Sequence, residues 1–141
     1  MKNKKILFID DDEDLLKIIS LKLRDHFSVV VASSADEAIE KFKLDKFSCI
    51  VSDISMPGIT GIDIIVSFKL VNPDYPVIIY TGMGNKGCKE EMLCLGADAF
   101  IIKSKLNIKV LKESIINAIE KNVPMPTEDE IDKIVKSIIS R

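Results

Sequence analysis

The chain has 141 residues, with 20 lysines and arginines against 22 acidic residues, a formal net charge of -2 and a hydrophobic fraction of 47%. This length predicts one domain, and this charge balance gives no electrostatic reason to expect nucleic acid or a membrane surface as the main partner. No apolar run reaches the length of about 18 residues typical of a membrane span, no secretory segment is recognisable, and three cysteines without a CxxC pair (Cys49, Cys88 and Cys94) predict reduced, mostly buried thiols of a cytoplasmic protein.

Short apolar runs alternate with amphipathic segments along most of the chain. The apolar runs predict five strands, over residues 5–9, 28–33, 48–53, 75–81 and 99–102. The segments between and after them predict five helices, over residues 14–26, from Ser34 onward, over 62–71, over 86–95 and over 108–122. Ser34 with Glu37 three residues later indicates a capping box. The alternation predicts an α/β fold with an open, mostly parallel sheet covered by helices on both faces.

The last nineteen residues form a separate pattern. A proline-containing acidic stretch, "NVPMPTEDE", predicts a linker, and Thr127 with Glu130 predicts the start of a helix. The residues that follow place one apolar stripe on that helix: Ile131, Ile134, Val135, Ile138 and Ile139. We therefore expect a domain over residues 1–122 and a linker with an amphipathic helix over residues 123–141. The helix either folds back onto the domain or serves as a dimer helix, and the sequence favours neither.

Polar residues follow four of the five predicted strands. Asp10 and Asp11 follow the first strand, Asp53 ends the third, Thr81 ends the fourth and Lys103 follows the fifth. Ligands of open parallel sheets bind outside the carboxyl ends of the strands, so these side chains should meet at one edge. Clustered carboxylates suit Mg²⁺, and their mutual repulsion would be relieved by that ion. Asp53 can then act as a nucleophile toward a phosphoryl group, with Thr81 and Lys103 holding its oxygens.

These residues carry a resemblance to a known family. Asp10-Asp11 after "ILFI", Asp53 in "CIVSDISMPGITG", Thr81 in "VIIYTG" and Lys103 in "GADAFIIK" resemble the receiver domain of a two-component response regulator. The resemblance covers about residues 4–122. It implies a flavodoxin-like, doubly wound five-stranded sheet of order 2-1-3-4-5.

The resemblance also implies roles and partners. It implies that Asp53 accepts phosphate from a sensor histidine kinase or phosphotransfer protein, and that the chain assists its own phosphorylation and dephosphorylation without being an enzyme toward other substrates. For Mg²⁺ it implies direct ligation by Asp11, Asp53 and the carbonyl of Ser55, with Asp10 acting mainly through water. Phe100 stands at the family's switch position, and we expect its inward rotamer to be populated even without phosphate. A homodimer is a further partner that the sequence leaves open, and we expect no direct nucleic acid contact.

The sequence departs from the family pattern near the site. Ser104 follows Lys103 where a proline is usual, which leaves the conformation of that peptide bond open. Gly82, with Gly84 and Gly87, predicts a loop of unusual freedom after the fourth strand. The two positions that tune phosphate lifetime in the family are Ser55 and Met83, and neither carries an acid or amide.

A small phosphohydrolase of the haloacid dehalogenase type is the main alternative. In that interpretation Asp10 is the nucleophile and Asp12 the acid/base, with Thr81 and Lys103 as later motifs. Against it, no acidic pair follows Lys103 on a further strand, the length leaves no room for a cap domain, and Asp53 has no role.

Overall fold

Strands and helices alternate along the chain as the sequence predicts. The computed structural model describes residues 3–82, 86–103 and 107–141. The elements in chain order are β1 (Lys5–Ile9), α1 (Glu13–Leu23), β2 (Ser28–Ala32), α2 (Ala35–Leu44), β3 (Cys49–Ser52), α3 (Gly61–Val71), β4 (Val77–Thr81), α4 (Lys86–Cys94), β5 (Ala99–Ile102), α5 (Ile108–Ile119) and α6 (Glu128–Ile139).

All five strands join one parallel sheet in the order β2-β1-β3-β4-β5. This is the predicted flavodoxin-like order. The strand order reverses direction at β1 and β3, which lie side by side with Ile9 opposite Ser52. The carboxyl ends of these two strands therefore form the switch point at which such sheets bind ligands.

The sheet is buried on both faces by two apolar clusters. One cluster joins the sheet to α2, α3 and α6, and includes Phe42, Phe68 and Ile134. The other joins the opposite face to α1 and α5, and includes Leu16, Tyr80 and Ile115. Alternate residues of each strand enter opposite clusters, which is why the strands are continuously apolar rather than alternating with polar residues.

Side-chain caps begin several helices. The Ser34 hydroxyl accepts a hydrogen bond from the backbone N–H of Glu37 at 3.1 Å, as predicted. The Glu37 carboxylate reaches Ser33 instead of returning to Ser34, so the predicted capping box is only half formed. Thr60 and Asp63 make a complete capping box at α3, which the sequence analysis did not identify. Such caps satisfy N–H groups that a first helical turn leaves without partners.

The C-terminal helix α6 packs against α2 and α3. Thr127 and Glu130 form the predicted capping box. Four residues of the predicted stripe are buried in the cluster with α2 and α3: Ile131, Ile134, Val135 and Ile138. Ile139, the fifth, is 63% exposed, because it lies one helical position beyond the buried face. The hydroxyl of Ser137 donates to that of Ser67 on α3 at 2.9 Å. This position agrees with the first of the two alternatives, a helix that folds back onto the domain.

Some element bounds and exposures differ from the sequence-based expectations. The fourth strand starts at Val77 rather than at residue 75, since Pro76 has no N–H to give to a neighbouring strand. The fifth helix ends at Ile119, and Asn122 then adopts a left-handed φ of 56° that turns the chain toward α6. Cys94 is exposed, contrary to the expectation of mostly buried thiols. Among the described residues, no helix combines the length and the apolar character that a bilayer crossing requires.

Candidate functional site

Three carboxylates meet at the carboxyl end of β1 and β3. Asp10 and Asp11 follow β1, and Asp53 follows β3, the neighbouring strand. One carboxylate oxygen from each of the three residues lies within 4.8 Å of those of the other two. Asp10 is fully buried and Asp53 nearly so, whereas Asp11 is exposed. The topology thus brings together the acids that the sequence predicted would converge.

The Asp53 carboxylate is held by the next residue of its loop, and the start of α3 holds the backbone of that loop. Its Oδ1 accepts a hydrogen bond from the backbone N–H of Ile54 at 2.7 Å. The N–H of Gly61, at the first residue of α3, donates to the carbonyl of Ile54 at 2.9 Å. A Cβ at Gly61 would lie 2.4 Å from the carbonyl oxygen of Asp53, so only glycine allows α3 to start this close to the acid.

Lys103 bridges two of the acids. Its ammonium lies 2.5 Å from Asp10 Oδ2 and 2.8 Å from Asp53 Oδ2. Burial by itself would lower the pKa of Lys103, but the close contacts of its ammonium with the carboxylates of Asp10 and Asp53 outweigh burial and raise the pKa. The lysine is therefore a permanent cation, and its position between the two carboxylates confirms that the fifth strand brings it to the predicted edge.

Asp10 carries a buried charge that its contacts compensate only in part. Its Oδ1 accepts from the N–H of Asp12 at 2.9 Å. Its Oδ2 is in ion contact with Lys103, yet among the described residues it has no hydrogen bond of normal geometry. Burial raises the pKa of Asp10, and the contacts with Lys103 and Asp12 only partly oppose that rise. The charged form of Asp10 is thus less favourable in the folded protein than in water, and a further cation beside it would stabilise that form.

Other predicted residues lie around this centre. Thr81 ends β4 opposite Ile102 in register and is fully buried. Ser55 is exposed in the loop after Asp53. Phe100, in β5, is half-buried and packs against the cluster of α2, α3 and α6. Gly82 follows β4 with open space around it. Met83, Gly84 and the Lys103–Ser104 bond lie outside the described residues.

The donor set fits a hard divalent cation. Carboxylate oxygens from three residues converge within one ion's reach, and oxygen donors are the ligands that Mg²⁺ prefers. The cluster holds three acids against one ammonium, so a cation would relieve repulsion that Lys103 alone leaves. Asp10 Oδ2 is buried and in ion contact with Lys103, so a cation could share this oxygen.

The alternative hydrolase interpretation is not supported. It requires Asp12 as an acid/base facing the site. The structure uses Asp12 as the N-cap of α1, where its carboxylate accepts from the N–H of Leu15 at 3.1 Å. The acid that lies beside Asp10 is Asp53, which that interpretation leaves without a role.

Sequence reasoning overlooked two buried polar groups. Tyr80 lies on β4 beside Thr81, is fully buried, and its hydroxyl has no hydrogen-bond partner among the described residues. The feature of the sequence that could have indicated this group is a tyrosine after three aliphatic residues in the fourth strand, "VIIYT". Asp98, at the other end of the sheet, accepts from Lys69 and Lys121 and from the N–H of Val77. Neither group could be placed before the strand register was known.

Comparison with known proteins gives one family. The family model described as "Response regulator receiver domain" matches residues 6–116. The alkaline phosphatase synthesis transcriptional regulatory protein PhoP of Bacillus subtilis is 31% identical over 102 residues, which is 72% of this chain and 42% of that protein. The chain thus spans less than half the length of this relative.

Solved structures agree with this result. A response regulator receiver domain protein from Clostridium thermocellum superposes with a TM-score of 0.77 at 31% identity, covering 85% of this chain and 97% of the other. The response regulator protein TrrA of Thermotoga maritima, in complex with Mg²⁺ and BeF, superposes with a TM-score of 0.72 at 25% identity, covering 82% and 99%.

Proposed function

The chain belongs to the response regulator receiver family of two-component systems, and on this premise we propose that Asp53 accepts a phosphoryl group in a Mg²⁺-dependent reaction. The observation that carries the proposal is the position of Asp53. Its carboxylate lies within 4.8 Å of the Asp10 and Asp11 oxygens and 2.8 Å from the ammonium of Lys103. A nucleophilic carboxylate next to a cation site and a fixed ammonium suits phosphoryl transfer, whose transition state needs positive charge around it.

The transfer exchanges one bond to phosphorus for another. A carboxylate oxygen of Asp53 attacks the phosphorus, and the bond from phosphorus to the donor atom breaks. The electron pair leaves with the donor, a histidine nitrogen in a kinase or phosphotransfer protein, which then takes a proton. The product is an aspartyl phosphate on Asp53. Asp11, Asp53 and the Ser55 carbonyl would hold a Mg²⁺ ion, with Asp10 acting mainly through water, and the ion would supply positive charge to stabilise the phosphoryl group during transfer.

Residues of this chain stabilise the phosphoryl group on Asp53 and change conformation in response to it. Lys103 must turn from the carboxylates toward the new phosphoryl oxygens, and Thr81, buried at the end of β4, donates its hydroxyl to them. Movement of Thr81 leaves space that Phe100 can fill by becoming more buried than it is now. The surface of α4, β5 and α5 responds and forms the partner-binding face. Catalysis is limited to the chain's own phosphorylation and dephosphorylation.

Partners and location follow from the same proposal. The phosphodonor is a sensor histidine kinase or phosphotransfer protein of the cytoplasm. Because the similar curated proteins include transcriptional regulators, the expectation that this chain makes no direct contact with DNA stays a prediction, as do a homodimer and the division into residues 1–122 and 123–141.

The phosphoacceptor can be identified by intact mass. After treatment with acetyl phosphate and Mg²⁺, the protein should gain the mass of one phosphoryl group, which EDTA prevents and mild base removes. Asp53→Asn should gain none, since an amide cannot form the acyl phosphate. Asp74→Asn, an exposed acid before β4, should behave as wild type. An Asp53→Asn protein that still gains a metal-dependent, base-labile phosphate would refute the assignment.

A further inference from the structure

The two tyrosines of this chain differ in how their hydroxyls are satisfied. Both side chains are buried, Tyr75 to 2% exposure and Tyr80 to 0%. The Tyr75 hydroxyl donates to the carbonyl of Phe47 at 2.6 Å. The Tyr80 hydroxyl has no hydrogen-bond partner among the described residues. A buried hydroxyl without a partner is costly, and such groups in native proteins call for an explanation.

Tyr80 lies on the sheet face below the acidic site. It is opposite Ile101 of β5 in register, and Lys103 follows Ile101 by two residues. Its ring meets Phe8 of β1 edge-on, with centroids 5.7 Å apart at 74°, and Asp10 follows Phe8 by two residues. Because side chains two residues apart share a face of a strand, Tyr80 lies on the sheet face of Phe8 and Ile101, whose strands lead two residues later to Asp10 and Lys103.

The charges of the site act on this phenol. Burial raises the pKa of Tyr80, the charge of Lys103 opposes that rise, and the charge of Asp10 adds to it. The hydroxyl is therefore within the electrostatic reach of both groups, although neither hydrogen-bonds to it in this state.

Packing does not explain the hydroxyl. Phenylalanine would fill the same space between Phe8 and the neighbouring aliphatic side chains of the cluster, and it would leave no orphaned oxygen. The benefit of the phenol must therefore arise in a state other than this one, in which a donor comes within reach of it.

Lys103 is the hydrogen-bond donor whose contacts change when Asp53 is phosphorylated. In this state its ammonium is directed to Asp10 and Asp53. When the carboxylates hold a cation and Asp53 carries a phosphoryl group, the ammonium loses its contact with Asp10 and needs a replacement acceptor. An ammonium has three donor hydrogens and no acceptor, so a phosphoryl oxygen alone does not satisfy it.

We propose that Tyr80 is a positioning residue for Lys103. Its hydroxyl oxygen accepts a hydrogen bond from the ammonium once the ammonium turns from Asp10 to the phosphoryl group, and this directs the remaining N–H bonds at the phosphoryl oxygens. The inference rests on the proposed function of Asp53 and adds to it a residue that stabilises the phosphorylated state alone.

Tyr80→Phe tests the proposal, with Tyr75→Phe as the matched control. Beryllofluoride, added with Mg²⁺, serves as the probe for the phosphoryl group, and affinities are measured by titration. Tyr80→Phe should bind beryllofluoride about tenfold more weakly, the scale of a lost hydrogen bond to a charged group, with Mg²⁺ affinity unchanged within about twofold. Its resting thermal stability should not fall. Tyr75→Phe should show the reverse: a lower melting temperature and unchanged beryllofluoride affinity.

Tyrosine labelled with ¹³C at Cζ gives an independent readout, because the chain has only two tyrosines. On adding Mg²⁺ and beryllofluoride, the Tyr80 signal should shift and the Tyr75 signal should stay. Equal beryllofluoride affinity in wild type and Tyr80→Phe, or a resting destabilisation as large as that of Tyr75→Phe, would overturn the role of Tyr80 alone. Failure of wild type to bind beryllofluoride with Mg²⁺ would instead overturn the proposed function itself.

Discussion

The sheet carries a partly buried ionic cluster at each end, and the two differ in charge balance. At the amino end, Asp98 accepts hydrogen bonds from Lys69 at 3.1 Å, from the N–H of Val77 at 2.9 Å and from Lys121. At the carboxyl end, three acids share the single ammonium of Lys103. The first cluster has two cations for one acid, and both oxygens of the Asp98 carboxylate are paired. The second is left with excess negative charge beside Asp10.

We interpret the amino-end cluster as structural and the carboxyl-end cluster as the candidate functional site. A buried acid with enough partners stabilises the fold, and its removal exposes the cost of the cations left behind. A group of acids without enough partners destabilises the resting fold and is poised to bind a cation. The comparison can be tested by neutralising one acid at each end and following the free energy of unfolding.

The largest effect is expected at the amino end. Asp98→Asn removes the charge that pairs with Lys69, whose side chain is only 10% exposed. We expect the free energy of unfolding to fall by about 3 kcal/mol, the scale of a broken buried ion pair, with or without Mg²⁺. Urea unfolding measures it.

The exposed pair of Lys133 with Asp129, 3.0 Å apart on α6, provides the control. Lys133→Gln should cost less than about 0.5 kcal/mol, because solvent screens this pair. A loss for Asp98→Asn as small as that of the control would mean that the amino-end cluster does not stabilise the fold.

A smaller effect of opposite sign is expected at the carboxyl end. In metal-free buffer, Asp10→Asn should raise the free energy of unfolding by about 1 kcal/mol, since it removes a desolvated charge facing two other acids. The amide oxygen can still accept from the N–H of Asp12, and Lys103 keeps its contact with Asp53.

Mg²⁺ should make wild type more stable than the Asp10→Asn variant. At a hundred times its dissociation constant for wild type, the ion stabilises wild type by about 2.7 kcal/mol, and it stabilises an Asp10→Asn variant that binds it tenfold more weakly by about 1.4 kcal/mol. That difference exceeds the gap of about 1 kcal/mol expected without metal. Melting curves should therefore show Asp10→Asn as the more stable protein without Mg²⁺ and wild type as the more stable protein with it. If Asp10→Asn destabilises the protein equally in both conditions, the acid is structural and the contrast between the two ends fails.

The smallest expected effect is a dependence on pH. Burial raises the pKa of Asp10 above its ordinary value of 3.8, so only at pH values between 3.8 and the raised pKa does the folded protein hold a proton that the unfolded chain has lost. The unfavourable contribution of charged Asp10 is present above the folded pKa and fades as the pH falls through it toward 3.8. In metal-free buffer the stability gap between Asp10→Asn and wild type should narrow on acidification through that window. Urea midpoints over a pH series check this, and a gap that widens contradicts it.

Much of the fold followed from local patterns in the sequence. The β5 bounds, Ala99–Ile102, were predicted to the residue, because an apolar run between a glycine-containing turn and a lysine has sharp limits. The caps at Ser34 and Thr127 were predicted because each depends on residues three positions apart. The start of β4 was predicted wrongly, and the apolar stripe did not reveal that Ile139 is exposed, since both depend on which neighbour a residue meets.

The sequence by itself determined the alternation of strands and helices and the set of acids, hydroxyl and lysine that end the strands, because periodicity and strand ends are local properties. Only the tertiary structure decided which of these groups share charges. Three features depend on segments that are far apart in the chain. They are the contacts of Lys103 with Asp10 and Asp53, the burial of the Tyr80 hydroxyl without a hydrogen-bond partner among the described residues, and the packing of α6 against α2 and α3. Their energies depend on burial and on the number of partners within a few ångströms, and those quantities exist only once the sheet has formed.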